Sequence, residues 1–159
     1  MQLRNELSTT SMNCMGAAPS LPMVGGAQSR LYLAESVAAV IEVKSNLSGQ
    51  WNEAVRTANA LAPLQRKFGA TMSFGNTPSP RIPLFAVGYT GWSTLQSLQT
   101  HLESAPHIDG ALVIDTGLYA SKSGIYVQGP FALWGLIVDL HRITNSLQSA
   151  STDPVDYAI

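Results

Sequence analysis

The run Val37-Ala-Ala-Val-Ile-Glu-Val-Lys44 constrains this chain more than any other stretch. Its β-branched, apolar character predicts a strand buried on both faces. Side chains alternate across a strand, so Val37, Ala39, Ile41 and Val43 face one way and Ala38, Val40, Glu42 and Lys44 the other. The first face is wholly apolar and fits against a helix. The second begins apolar and ends charged. Charged groups are almost never fully buried without a partner or a task. Glu42 and Lys44 therefore project side by side from the C-terminal end of an inner strand.

The rest of the chain supplies the layers that bury such a strand. Trp51, Ala54, Val55, Ala58, Leu61 and Leu64 recur at helical spacing, with Ser48 as the expected N-cap and Pro63 ending or kinking the helix near Ala62. Gly69 is the expected stop after "QRKF", and Asn76–Arg81 reads as a loop. Ile82–Tyr89 is a second strand. Ser93 is the expected cap of a helix bearing Leu95, Leu98 and Leu102, and Gly110–Asp115 is a third strand. Leu118–Gln128 reads as a hairpin turning at Lys122–Gly124, and Phe131–Ser146 as a broad-faced apolar helix after Pro130. Strand, helix, strand, helix, strand defines an α/β layer protein, and right-handed crossovers make much of its sheet parallel.

Residues 1–30 show no sustained period and read as an irregular or disordered N-terminal segment; 31–150 form the α/β domain and 151–159 a tail. Charged residues are only 12% of the chain, about half the usual share, and 45% is apolar, as a well-buried sheet requires. A net charge of −1 excludes a global basic field for nucleic acid but leaves room for a local basic groove. The single cysteine, Cys14, excludes an internal disulfide and a multi-cysteine zinc site. No apolar window is long enough for a membrane span, and the N-terminus lacks a signal-peptide core, so the expected location is the cytoplasm.

Ligands of open α/β sheets lie beyond the C-terminal strand ends. A carboxylate there can bind Mg²⁺, and a neighbouring ammonium can hold a water or stabilise charge on a phosphate. A bare Glu-x-Lys is common, and its plain meaning is an ion pair at the rim of the core. The flanking "VAAVIEVKS" is the rarer feature.

With its capped helix "QWNEAVRTANAL", the stretch "ESVAAVIEVKSNLS" resembles the core of the PD-(D/E)xK nuclease superfamily, and more narrowly an uncharacterised bacterial nuclease-like family. "RIPLFAVGYTGW" and "GALVIDTG" resemble the strands that follow. The similarity covers Leu31 to Gln148. It implies a mixed, largely parallel central sheet flanked by helices, as in restriction endonucleases, and hydrolysis of DNA phosphodiesters with Mg²⁺ or Mn²⁺. It implies Glu42 as the second acidic ligand and Lys44 as the motif lysine that positions or activates water.

The family pattern also requires an earlier aspartate, yet the first aspartate here is Asp109. Before Glu42 stand only Glu6 and Glu35. On one continuous strand, Glu35 would lie on the opposite face, about 23 Å away. The expectation is therefore a nuclease-like domain that is incomplete or inactive in this chain, on one of three readings: a start lying after, or altered across, the metal-binding strand; a degenerate nuclease that keeps the fold as a noncatalytic module for nucleic acid or a protein partner; or a substitute acid such as Asp115.

Other residues add less. His101, His107 and His141 lack metal-ligand spacing and read as surface or helix-end residues. Trp51, Trp92 and Trp134 read as core or boundary. "SKSG" is a turn rather than a Ser/Lys nucleophile. Arg56, Arg66 and Lys67 follow the charged strand on its helix and could touch phosphates, Arg56 being the candidate singled out, but the plainer reading of all three is a solvated helix face.

Overall fold

The computed structural model describes residues 13–15, 34–68 and 78–148. Six strands form one sheet in chain order: β1 (Asn13–Met15), β2 (Ala39–Asn46), β3 (Leu84–Thr90), β4 (Gly110–Val113), β5 (Leu118–Ser121) and β6 (Tyr126–Gln128). The three central strands, β2, β3 and β4, run parallel. β1, β5 and β6 are added antiparallel at the two sides. The architecture is mixed α/β with helices on both faces, as expected.

Three helices cover the sheet: α1 (Trp51–Leu61), α2 (Leu95–Glu103) and α3 (Ala132–Gln148). Alternation along the strands sorts two cores. Val40, Leu84, Ala86, Ala111 and Val113 pack under Ala54 and Ala58 of α1 and Leu98 and Leu102 of α2. Ala39, Phe85, Val87, Leu112 and Tyr119 pack under Ala132 and Leu136 of α3. Glu42 and Lys44 share the face of Val40, so both point to the α1 side, as alternation predicts.

Residues 34–36 form a 3-10 turn ahead of β2, so Glu35 does not share one continuous strand with Glu42. Several local expectations are corrected. Ser48 does not cap α1; Gln50 is the N-cap, and its side chain makes no capping bond. Asn46 and Gln50 close the turn instead. Asn46 Oδ1 accepts from the Gly49 N–H (3.1 Å) and Ser48 Oγ (2.9 Å). Gln50 Oε1 accepts from the Asn46 N–H (3.3 Å) and Ser45 Oγ (3.2 Å). The Ser48 hydroxyl is spent as a donor to Asn46, whose side chain forms the local turn that asparagine favours. Thr94, not Ser93, caps α2, its Oγ1 accepting from the Ser97 N–H. α1 ends with Ala62 as its C-cap, in front of Pro63, leaving Leu64 outside the helix and exposed.

β1 lies inside the segment read as unpatterned, because three residues are too few to display a period. The hairpin joins β5 to β6 where predicted, with Gly124 at φ +87° supplying the left-handed turn residue. Gly69 and the remainder of residues 1–30, including Glu6, lie outside the described residues, as does the 151–159 tail. No helix among the described residues is long and apolar enough to cross a membrane.

Candidate active site

The turn after β2 decides where α1 lies. Leu47 is fully buried, and its N–H donates to the Thr90 carbonyl at 2.8 Å. It packs against the backbone of Gly88, the residue that β3 pairs with Lys44. A Cβ on Gly88 would stand 2.4 Å from the Leu47 Cβ, so only glycine permits this approach. The close approach brings the first turns of α1 back over the end of β2. Glu53 and Thr57, one helical turn apart, then face Glu42 and Lys44.

Glu42 is 1% exposed. Its Oε1 lies 3.0 Å from Lys44 Nζ and accepts a long hydrogen bond from Thr57 Oγ1 at 3.4 Å. Its Oε2 is buried with no hydrogen-bond partner among the described residues. Lys44 reaches outward from Glu42 and donates to Glu53 Oε2 at 2.9 Å. The Lys44 side chain is 9% exposed and that of Glu53 45% exposed. The three charges thus run outward from a buried carboxylate, through a nearly buried ammonium, to a half-exposed carboxylate at the surface.

Burial pulls the Lys44 pKa down, but hydrogen bonds to Glu53 and Glu42, with their charges, outweigh it and leave the pKa above the ordinary lysine value. The hydrogen bond and charge of Lys44 hold the Glu53 carboxyl below its ordinary value. Lys44 is therefore a fixed cation: a hydrogen-bond donor and a positive charge, not a proton acceptor.

The other sequence candidates stand elsewhere. Glu35 sits in the 3-10 turn, at the opposite end of β2, where its Oε1 accepts from the Lys67 N–H at 2.6 Å. Asp115 follows β4, exposed, with its N–H donating to the Tyr89 carbonyl at 2.9 Å. β3 separates it from β2, and neither acid is among the contacts of Glu42. Arg56 is exposed on α1, near enough to Glu53 to help lower its pKa. Arg66 and Lys67 lie beyond the end of α1, so the solvated-helix-face reading is wrong for Arg66. It is 4% exposed and caps the carbonyls of Val37, Ala38, Ser79 and Arg81. His101 is exposed and stacks on Trp92 with ring centroids 4.6 Å apart.

Sequence reasoning missed Glu53 and Thr57. Both flank the apolar stripe of Ala54 and Ala58, and that placement was the available signal. β1 pairs antiparallel with β2, setting Asn13, Cys14 and Met15 against Ile41, Val40 and Ala39. None of the three is an acid. Among the described residues no three acids, histidines or cysteines gather as a metal-binding group. The unpartnered Oε2 of Glu42 is still a hard oxygen donor in a dry site. That suits Mg²⁺ or Mn²⁺ and not a soft metal, and a cation there relieves the penalty of the unpaired atom.

These features define a mixed α/β fold whose central strands run parallel. Two solved structures share it. NucC of P. aeruginosa ATCC27853, in its cAAA-bound form, superposes with a TM-score of 0.57 at 19% identity, covering 77% of this chain and 57% of that one. NucC of E. coli MS115-1, also cAAA-bound, gives a TM-score of 0.56 at 18% identity, covering 87% and 62%. The chain thus spans less than two thirds of the length of either. No family model matches the sequence, and no curated protein does.

Proposed function

We propose that this chain is a nuclease-like protein that holds Mg²⁺ or Mn²⁺ at Glu42 and hydrolyses the phosphodiester bonds of DNA. One observation carries the proposal. Glu42 is buried at the end of an inner parallel strand with one oxygen unpartnered, and Lys44 lies beside it as a fixed cation. When bound, the metal supplies Lewis acidity that polarises a phosphate oxygen and a water. Lys44 donates hydrogen bonds that orient the water or meet charge developing on the phosphate. Arg56, exposed on the same helix as Glu53, would contact a flanking phosphate. The fold shared with NucC supports the reading. The test is cleavage of supercoiled plasmid in Mg²⁺ or Mn²⁺, lost in Glu42→Gln and Lys44→Ala. Intact plasmid after incubation of the unaltered chain with either metal refutes it.

A second reading is favoured by β1, which brings no acid to β2: a noncatalytic module that keeps the fold to bind DNA or a protein partner. DNA binding unmoved by metal and by Glu42→Gln would support it. A binding constant flat against salt would exclude phosphate contacts and leave the protein partner.

A further inference from the structure

Resting on the metal-site reading of Glu42, we infer that Glu53 on α1 supplies the second anionic oxygen of the site, in the role the upstream strand leaves unfilled. Mg²⁺ dehydrates reluctantly and is ordinarily held by one or two carboxylates together with substrate phosphates and water. β1 offers Asn13, Cys14 and Met15 against β2 and therefore no carboxylate. Glu35 sits at the opposite end of β2, where it accepts from the Lys67 N–H, and Asp115 follows β4, with β3 between it and β2. Glu53 lies at the strand end itself: its Oε2 and the Oε1 of Glu42 converge on the same atom, Lys44 Nζ, at 2.9 and 3.0 Å. The two carboxylates are thus already oriented toward a shared cation. One ammonium against two carboxylates leaves the cluster with a net charge of −1, and the second oxygen of Glu42 remains unpartnered and buried.

Exposure assigns different tasks to the two acids. Glu42 is fixed at the floor by Thr57 and the core. Glu53 stands half-exposed at the surface, where it meets an arriving hydrated cation. Its position is rigid, because α1 starts from the closed Asn46–Gln50 turn and from the Leu47–Gly88 approach. Lys44 holds the acids apart from one another in the metal-free chain, so it competes with the metal for them.

The competition makes the inference separable from a role in which Glu53 only props Lys44. The experiment is Mn²⁺ titration of the full chain without DNA, read by the electron paramagnetic resonance signal of free Mn²⁺. Circular dichroism verifies that each variant is folded. Glu53→Gln is expected to weaken Mn²⁺ binding at least about tenfold. It should do so again in a Lys44→Met background, whose own affinity equals or exceeds that of the parent. If Glu53→Gln has no effect in the Lys44→Met background while Glu42→Gln abolishes binding, Glu53 is only a prop and the inference falls, with the Glu42 reading intact. If Glu42→Gln leaves Mn²⁺ affinity unchanged, the underlying reading falls and takes this one with it. Should Lys44→Met not fold, carbon-13 spectra of the glutamate carboxylates decide in the unaltered chain. Glu42 and Glu53 shifting together on Mg²⁺ addition supports the inference, and a shift of Glu42 alone overturns it.

Discussion

Replacing Lys44 by methionine removes the ammonium and keeps most of the stem, which isolates what the charge does for the fold. In the parent chain Glu42 is 1% exposed, and Lys44 is its nearest polar partner, at 3.0 Å. Without Lys44, Glu42 retains only the Thr57 hydroxyl at 3.4 Å, at the weak end of hydrogen bonding. Its other oxygen has no partner among the described residues. A buried carboxylate stripped of its counter-ion destabilises by about 3–5 kcal/mol. For a chain of this size that lowers the melting temperature by roughly 10 °C. Glu42→Gln removes the opposite charge but leaves Lys44 bonded to Glu53 near solvent, so its loss should be smaller, about 1–2 kcal/mol. The double variant should lose clearly less than the two single losses added, because removing both charges leaves neither stranded. Urea unfolding followed by circular dichroism at 222 nm measures all four chains. A Lys44→Met loss under about 1 kcal/mol, or one smaller than that of Glu42→Gln, would refute the placement of Glu42 in a dry floor.

Three further outcomes test other parts of the structure. Burial, followed by the hydrogen bond to Asp139, raises the Tyr119 pKa above its ordinary value. The unfolded chain then loses this proton first, so the stability is present below about pH 10 and falls above it by about 1.4 kcal/mol per pH unit. Tyr119→Phe should lessen that alkaline loss while costing about 1–3 kcal/mol at neutral pH, since buried Asp139 keeps only Ser123; urea unfolding at pH 8 and pH 11 reads both. Arg66→Lys should destabilise by about 1–3 kcal/mol despite keeping the charge, because one ammonium does not reach the four carbonyls that the guanidinium fork joins; thermal melting checks it. Arg56→Ala, at an exposed position, should leave stability unchanged, weaken DNA binding and reduce the slope of log affinity against log salt by about 0.9, as measured by fluorescence anisotropy.

The legible parts of this molecule were those governed by a single local period. Alternation in Val37–Lys44 placed Glu42 and Lys44 on one face because the strand is regular and its apolar face is unbroken. The α1 stripe and the Pro63 stop were likewise written in consecutive residues. Ser48 and Ser93 were misassigned because the helices start later than expected, with Gln50 and Thr94 at their N-caps, Asn46 holding the turn before α1 and Thr94 accepting from the Ser97 N–H; spacing alone does not rank such neighbours. The burial of Arg66 was invisible for a different reason. Its partners are backbone carbonyls 13 to 29 residues away in sequence, which carry no side-chain signature. Glu53 fell between these cases. It sits beside the apolar stripe of α1, and only the tight approach of Leu47 to Gly88 turns that flank toward β2.

That approach also explains why the charged cluster is compact despite the missing aspartate. Glu42, Lys44, Glu53 and Thr57 all belong to one strand–turn–helix unit, so their geometry is set by the chain between residues 39 and 61 and by its seat on β3. A site that draws an acid from a separate strand depends on long-range pairing to place it. An acid carried on the crossover helix is positioned by the same turn that positions the lysine's strand end. The electrostatics follow from the same arrangement. Glu53 offsets what burial takes from Lys44, and Lys44 in turn partners the buried Glu42 carboxylate, so the ammonium is the element on which the fold at this end of the sheet depends.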